Sequence, residues 1–174
     1  LSSILHTKVD ITPKELNYIA NNILYENLER LNEKRPMTLA SLRFENEREF
    51  TISGSHDNIF IYRDKTKTVD TIEVDQFPFG IGFMNDIELS MIEENTHTLN
   101  KNDILFLATD GITEAPKLGS TKGELFGEPL LIEFIKTHAD KPTSEIKSQL
   151  INILDEYTNS IYHDDVTFII ARST

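Results

Sequence analysis

The run Ile104-Leu105-Phe106-Leu107-Ala108 is the longest unbroken apolar stretch in the chain. Asp103 stands before it and, one residue past its end, Asp110 stands after it. An apolar run of this length without alternation fits a strand buried on both faces, and such a strand sits centrally in a sheet. The final apolar run, Val166 to Ala171, has the same form and follows Asp164-Asp165 directly. A buried charge is costly unless it is paired or coordinates a metal. Two carboxylate ends on neighbouring central strands would converge on one point, which is how an oxygen-rich site for Mg²⁺ or Mn²⁺ is made. Each acid also has a plainer reading, because Asp-Gly is an ordinary turn and acids often flank strands as solvated ends.

The remaining pattern describes an α+β chain. Thr12-Pro13-Lys14-Glu15 has the form of a helix start, with a capping Thr, Pro at the first position and Glu at the third. Behind it Leu16, Ile19, Ala20, Ile23, Leu24, Leu28 and Leu31 recur at helical spacing, and Pro36 predicts an end near Lys34. Met37 to Phe44, Glu49 to Ser53 and Ile59 to Arg63 read as short strands of an antiparallel meander, and Ile87 to Glu94 as another. The stretch Phe77 to Gly82, with one Pro and two Gly, interrupts the strands. Two further helices are expected, one from Gly127 to about His138 and one from near Pro142 that carries Ile146, Leu150, Ile153, Leu154, Tyr157 and Ile161 on one face. Helices segregated from mostly antiparallel strands define an α+β layered domain, and no linker or repeat divides residues 1–174.

Charge and composition narrow the functional classes. The chain has 17 basic and 29 acidic residues, a formal charge of −12, which argues against nucleic acid and anionic membrane as partners. Cysteine is absent, which removes thiolate nucleophiles, disulfides and zinc–thiolate sites and is compatible with a reducing cytoplasm. No apolar run approaches the ~20 residues of a membrane helix.

Leu107-Ala108-Thr109-Asp110-Gly111-Ile112-Thr113-Glu114-Ala115 resembles the TDG-(hydrophobic)-TEA motif of the metal-dependent type 2C protein phosphatases, in particular their bacterial SpoIIE/RsbU-type branch. In the same order, Gly123-Glu124-Leu125-Phe126-Gly127 is similar to the branch's GE-x-FG stretch, and His163-Asp164-Asp165-Val166-Thr167 to its terminal DD-(hydrophobic)-T strand. Upstream, Met37-Thr38-Leu39-Ala40 resembles an MT-x-A strand, Ser53-Gly54-Ser55-His56 a variant of an AGH turn, and Pro78-Phe79-Gly80-Ile81 a P-(hydrophobic)-G segment. The resemblance implies a sandwich of two antiparallel sheets flanked by helices. It also implies hydrolysis of phosphoserine or phosphothreonine on a signalling protein by metal-activated water.

By the same resemblance, Asp110 and Asp164 match the catalytic, metal-binding acids, Gly111 the glycine that follows the first of them, and Asp165 a weaker ligand where the wider superfamily often has Asn. The implied cofactor is a pair of Mn²⁺ or Mg²⁺ ions. The implied partner is a phosphoprotein of the anti-sigma-factor antagonist type in a bacterial partner-switching pathway, with a sensor or receiver domain upstream. The family's GGD-x-x-D strand and D-(hydrophobic)-(S/T)-GHG turn do not occur in the chain, and Leu1-Ser2-Ser3-Ile4-Leu5-His6 looks like the helix tail that follows that turn. The resemblance therefore covers the C-terminal portion of such a domain. It leaves open a non-catalytic phosphatase-like binding module or a structural cation site. Among the histidines, His163 beside Asp164 is a candidate proton donor to a leaving alkoxide. His56-Asp57 reads as a solvated turn and Glu26, Glu29 and Glu33 as the wet face of the first helix.

Overall fold

The computed structural model describes residues 10–77, 80–120 and 123–174. Leu1 to His6 and the Pro78-Phe79 pair, which carried two of the resemblances, lie outside the described residues. The chain divides into two compact units, one running to His56 and including Val74–Thr98, the other formed by Asp57–Glu73 and Leu99–Thr174.

In the first unit, helix α1(Pro13–Leu31) starts as its sequence dictates. The Glu15 backbone N–H donates to Thr12 Oγ1 (3.3 Å), and the Thr12 N–H donates back to Glu15 Oε2 (3.0 Å). The helix stops at Asn32, in the left-handed region (φ 53°), a little before the expected Lys34. Of the apolar row expected from the periodicity, Ala20 alone is among the helix's buried residues. Those residues are Pro13, Asn17, Ala20 and Asn21, while Ile23 and Leu31 are 42% and 71% exposed. Asn21 is tolerated because both ends of its amide are paired, whereas Asn17 is held through its oxygen and its Nδ2 is buried without a partner. Asn21 Oδ1 accepts from Gly82 N–H and its Nδ2 donates to the Met84 carbonyl, both at 2.8 Å, while Asn17 Oδ1 accepts from Ser41 Oγ at 2.6 Å.

Strands β1(Leu39–Asn46) and β2(Glu49–Arg63) pair antiparallel from Leu39↔Ser55 to Asn46↔Glu49. The two strands expected at Glu49 to Ser53 and Ile59 to Arg63 are thus one long strand, and the turn expected around Gly54 and His56-Asp57 is extended backbone within it. Gly54, at φ 152°, lets this happen, because a Cβ there would collide with the Leu39 carbonyl oxygen. The strand expected at Ile87 to Glu94 is instead a single 3₁₀ turn, Leu89–Met91. Its apolar residues are used for packing rather than pairing, since Ile87 and Ile92 are buried with Ala20, Phe77 and Ile81. A short polar strand, Asn95–Thr98, pairs with Glu49 to Ile52.

In the second unit, β2 turns through Asp64 to Lys67 into β3(Thr68–Asp75), which pairs with it. The polar strand Asn95–Thr98 is β4 in chain order and β5(Ile104–Ala108) follows. β5 pairs antiparallel with β2 at Phe60↔Phe106 and with β6(Phe168–Arg172) from Ile104↔Arg172 to Ala108↔Phe168. The expected central apolar strand is therefore central, with neighbours on both sides. Between β5 and β6 lie a one-turn helix α2(Asp110–Thr113), α3(Gly127–His138) and α4(Thr143–Thr158). Leu131, Phe134 and Ile135 of α3 and Ile146, Leu150 and Leu154 of α4 form a core with Phe60, Tyr62, Ile104 and Phe106. The pairings β1–β2, β2–β4, β2–β5 and β5–β6 are antiparallel. This is the α+β arrangement expected from the sequence.

Two polar fixtures brace this unit. The Asp103 carboxylate, 1% exposed, accepts from Arg63 Nη1 (3.0 Å), the Asp64 N–H (3.0 Å) and the Asn100 N–H (2.9 Å). Arg172 Nη2 donates to the carbonyls of Ala139 (2.8 Å) and Lys141 (2.7 Å), which fastens the end of β6 to the connection between α3 and α4.

Candidate functional site

β5 delivers Thr109 and Asp110 to one end of the second unit's sheet, and residues 163–167 reach the same end before β6 begins. Asp110 does not sit in an open turn at the strand exit. It is the first residue of the helical turn α2, half-buried, with its carbonyl accepting from the Glu114 N–H (2.7 Å).

Thr109 ties the two segments together. Its N–H donates to the Thr167 carbonyl (3.0 Å), which carries the β5–β6 ladder one residue further. Its Oγ1 donates to the Asp165 carbonyl (3.1 Å) and accepts from the Thr167 N–H (3.2 Å). Beyond it, Gly111 is buried against the Asp165 backbone so closely that a Cβ would meet the Asp165 carbonyl oxygen and carbon. Asp110, Gly111 and Asp165 therefore lie on abutting backbone segments. Asp164 is the adjoining residue, and its Oδ1 accepts the Asp165 N–H at 2.7 Å. Asp164, Asp165 and His163 are all exposed.

The sequence marks no separate role for Thr109. Its signal was its place in the TDG triplet: a threonine at the end of an apolar strand has one oxygen that can both donate and accept across a ladder. The segment after α2 is held nearby by a bridge between Pro116 and Leu125 and by the Phe126 N–H donating to the Ala115 carbonyl (2.9 Å). Tyr162, next to His163, donates to Asp155 Oδ1 (2.8 Å). Its partial burial and that carboxylate push its phenol pKa up, so it stays protonated well beyond neutral pH.

The SpoIIE family model, described as stage II sporulation protein E, matches residues 2–174. The chain belongs to the SpoIIE family. Solved structures place the SpoIIE-family chain on the type 2C phosphatase fold. The phosphatase domain of the cell fate determinant SpoIIE from Bacillus subtilis, manganese presoaked, is 19% identical with a TM-score of 0.57, over 98% of this chain and 69% of that one. The RsbU and RsbW domains of a Mycobacterium tuberculosis protein are 18% identical with a TM-score of 0.66, over 97% of this chain and 44% of that one. The catalytic domain of the serine/threonine phosphatase PstP, in complex with two manganese ions, is 14% identical with a TM-score of 0.62, over 97% of this chain and 76% of that one. No curated protein matches. No helix among the described residues is long and apolar enough to cross a membrane.

The manganese named for two of those structures sets a test for the residues of this chain. Among the described residues, no group of three or more His, Cys, Asp or Glu side chains is placed to hold a metal ion. Residues 1–9, 78–79 and 121–122 add only one side chain of those types, His6. Asp110, Asp164 and Asp165 do not form such a group, and three carboxylates do not fit a two-cation centre.

Proposed function

We propose that residues 1–174 form the C-terminal portion of a SpoIIE/RsbU-type phosphatase domain. It acts on phosphoserine or phosphothreonine of a signalling protein, of the anti-sigma-factor antagonist type, in the bacterial cytoplasm. Asp110 and Asp164 are the acids on which hydrolysis depends, with Gly111 and Asp165 completing the acidic end of the sheet. The observation that carries this reading is the abutment of Gly111 on the Asp165 backbone under the Thr109 clamp. It sets the two acidic motifs of the family side by side, in a chain whose family match spans nearly its whole length. Uncompensated carboxylates repel a phosphate dianion, so acids in this position suit phosphoester chemistry only with cations of the Mn²⁺ or Mg²⁺ kind beside them.

The test is Mn²⁺-dependent dephosphorylation of a phosphoprotein by the protein expressed from its own gene, wild type beside Asp110→Asn. The variant removes a charge at nearly constant volume and is expected to lose at least ~100-fold in kcat with the fold intact by circular dichroism, about 2.7 kcal/mol or more of barrier. Equal rates would overturn the assignment.

The donor shortfall favours a second reading, a phosphatase-fold module that holds a phosphoprotein without turning it over. That reading expects binding of the phosphorylated partner with no phosphate released from wild type under any divalent cation.

A further inference from the structure

We infer that this chain, taken alone, does not assemble a two-cation centre and holds at most one divalent cation, weakly. The inference rests on placing the phosphatase site at Asp110, Asp164 and Asp165. A pair of hard divalent cations a few ångströms apart brings four positive charges together, and stability requires several carboxylates around and between them. Three carboxylates are on offer here, and their geometry weakens even that set. Asp164 has one carboxylate oxygen engaged by the Asp165 N–H at 2.7 Å. Asp164 and Asp165 are exposed, so a cation between them competes with bulk water at every position. Asp110 stands on a different backbone segment, as the first residue of α2, so only its own side chain can reach towards them. No other cluster of His, Cys, Asp or Glu among the described residues substitutes for the missing donors. The remaining residues of the chain contribute only His6, a nitrogen donor unsuited to Mg²⁺. With one to three carboxylates and otherwise water as ligands, affinity falls in the millimolar range of weak oxygen sites. A two-ion centre at this position therefore draws its further carboxylates from polypeptide other than these 174 residues.

The test is a Mn²⁺ titration of the 174-residue chain, shown by circular dichroism and cooperative urea unfolding to be folded, followed by electron paramagnetic resonance of free and bound ion and by calorimetry, with Asp110→Asn and Asp164→Asn alongside. The expected result is no bound ion, or one ion with a millimolar Kd that either variant weakens further, and no spin-coupled pair signal. Any ion bound with a micromolar Kd, or a coupled-pair spectrum, would overturn the inference. The exposed Asp164 variant keeps the test valid should Asp110→Asn disturb α2. The outcome separates from the functional reading: a chain that binds two ions tightly refutes this inference while leaving the phosphatase assignment intact. Asp110→Asn with full activity in the native protein refutes the assignment whatever the ion count.

Discussion

Gly111 is the residue on which the candidate site turns. In a helical turn, Ala is normally favoured over Gly by up to ~1 kcal/mol. Here the added methyl would press on the Asp165 carbonyl, which is backbone and is itself held by Thr109 Oγ1. The collision outweighs the propensity gain, and Gly111→Ala is expected to cost about 1–3 kcal/mol, read as a lower urea midpoint at unchanged slope. A midpoint at or above wild type would show that the two segments do not touch as described. The positions of Asp110, Asp164 and Asp165 beside the two apolar runs were legible in the sequence, but acids flank many strands as solvated ends, and only the resemblance to the TDG and DD-(hydrophobic)-T motifs singled these three out. The role of Thr109 was not legible, because a hydroxyl that donates to one carbonyl and accepts from the next N–H looks, in sequence, like any strand-end threonine. Nor was the buried face of α1. Asn17 and Asn21 break the apolar row, and only the positions of Ser41, Gly82 and Met84 show why burying them is tolerable.

At the scale of elements, the strands with continuous apolar runs were legible and those defined by their partners were not. β5 and β6 lie where their composition put them, within a residue or two. β2 was split in two because Gly54 to Asn58 is polar and turn-like, yet pairing with β1 draws it through as one strand. β4 is Asn-Thr-His-Thr, with no apolar alternation to announce it, and exists through its pairing with Glu49 to Ile52. β6 invites a prediction of its own. Thr167 and Ser173 both exchange hydrogen bonds with the β5 side, Thr167 with Thr109 and Ser173 with Asp103 and Asn102. Alternation along the strand then points the N–H groups of Phe168, Ile170 and Arg172 away from β5, and no described strand lies beyond β6. In native-state hydrogen exchange of this chain, those three amides should exchange far faster than those of Ile169 and Ala171, whose bonds are inside the ladder. Equal protection along the strand would mean the outer edge is paired.

For the whole molecule, charge decides how stability responds to acid. With 29 acidic residues against 17 basic ones, the chain at neutral pH carries a large excess of negative charge and repels itself. Lowering the pH towards the isoelectric point, about 4.8, removes that repulsion by protonating exposed carboxylates. Asp103 works in the opposite sense. Burial pushes its pKa up, but the Asn100 and Asp64 N–H groups and the Arg63 guanidinium more than reverse this, so its folded pKa lies below the ordinary value. A carboxylate with a depressed folded pKa contributes stability that is fully present above its unfolded pKa, ~3.9, and is lost as the pH falls through the folded value. The two effects separate on the pH axis. Stability by urea unfolding is expected to hold or rise from pH 7 to about 5 and to fall steeply below about 4. Asp103→Asn should cost about 1–3 kcal/mol at pH 7, since it removes the charge from the buried acceptor of the Asp64 and Asn100 N–H groups, while Arg63, partly exposed, keeps its ion pair with Asp70 at 2.7 Å. It should also flatten the fall below pH 4, because one carboxylate whose folded pKa is depressed is gone. A variant with the wild-type acid limb would mean that some other carboxylate carries the acid sensitivity.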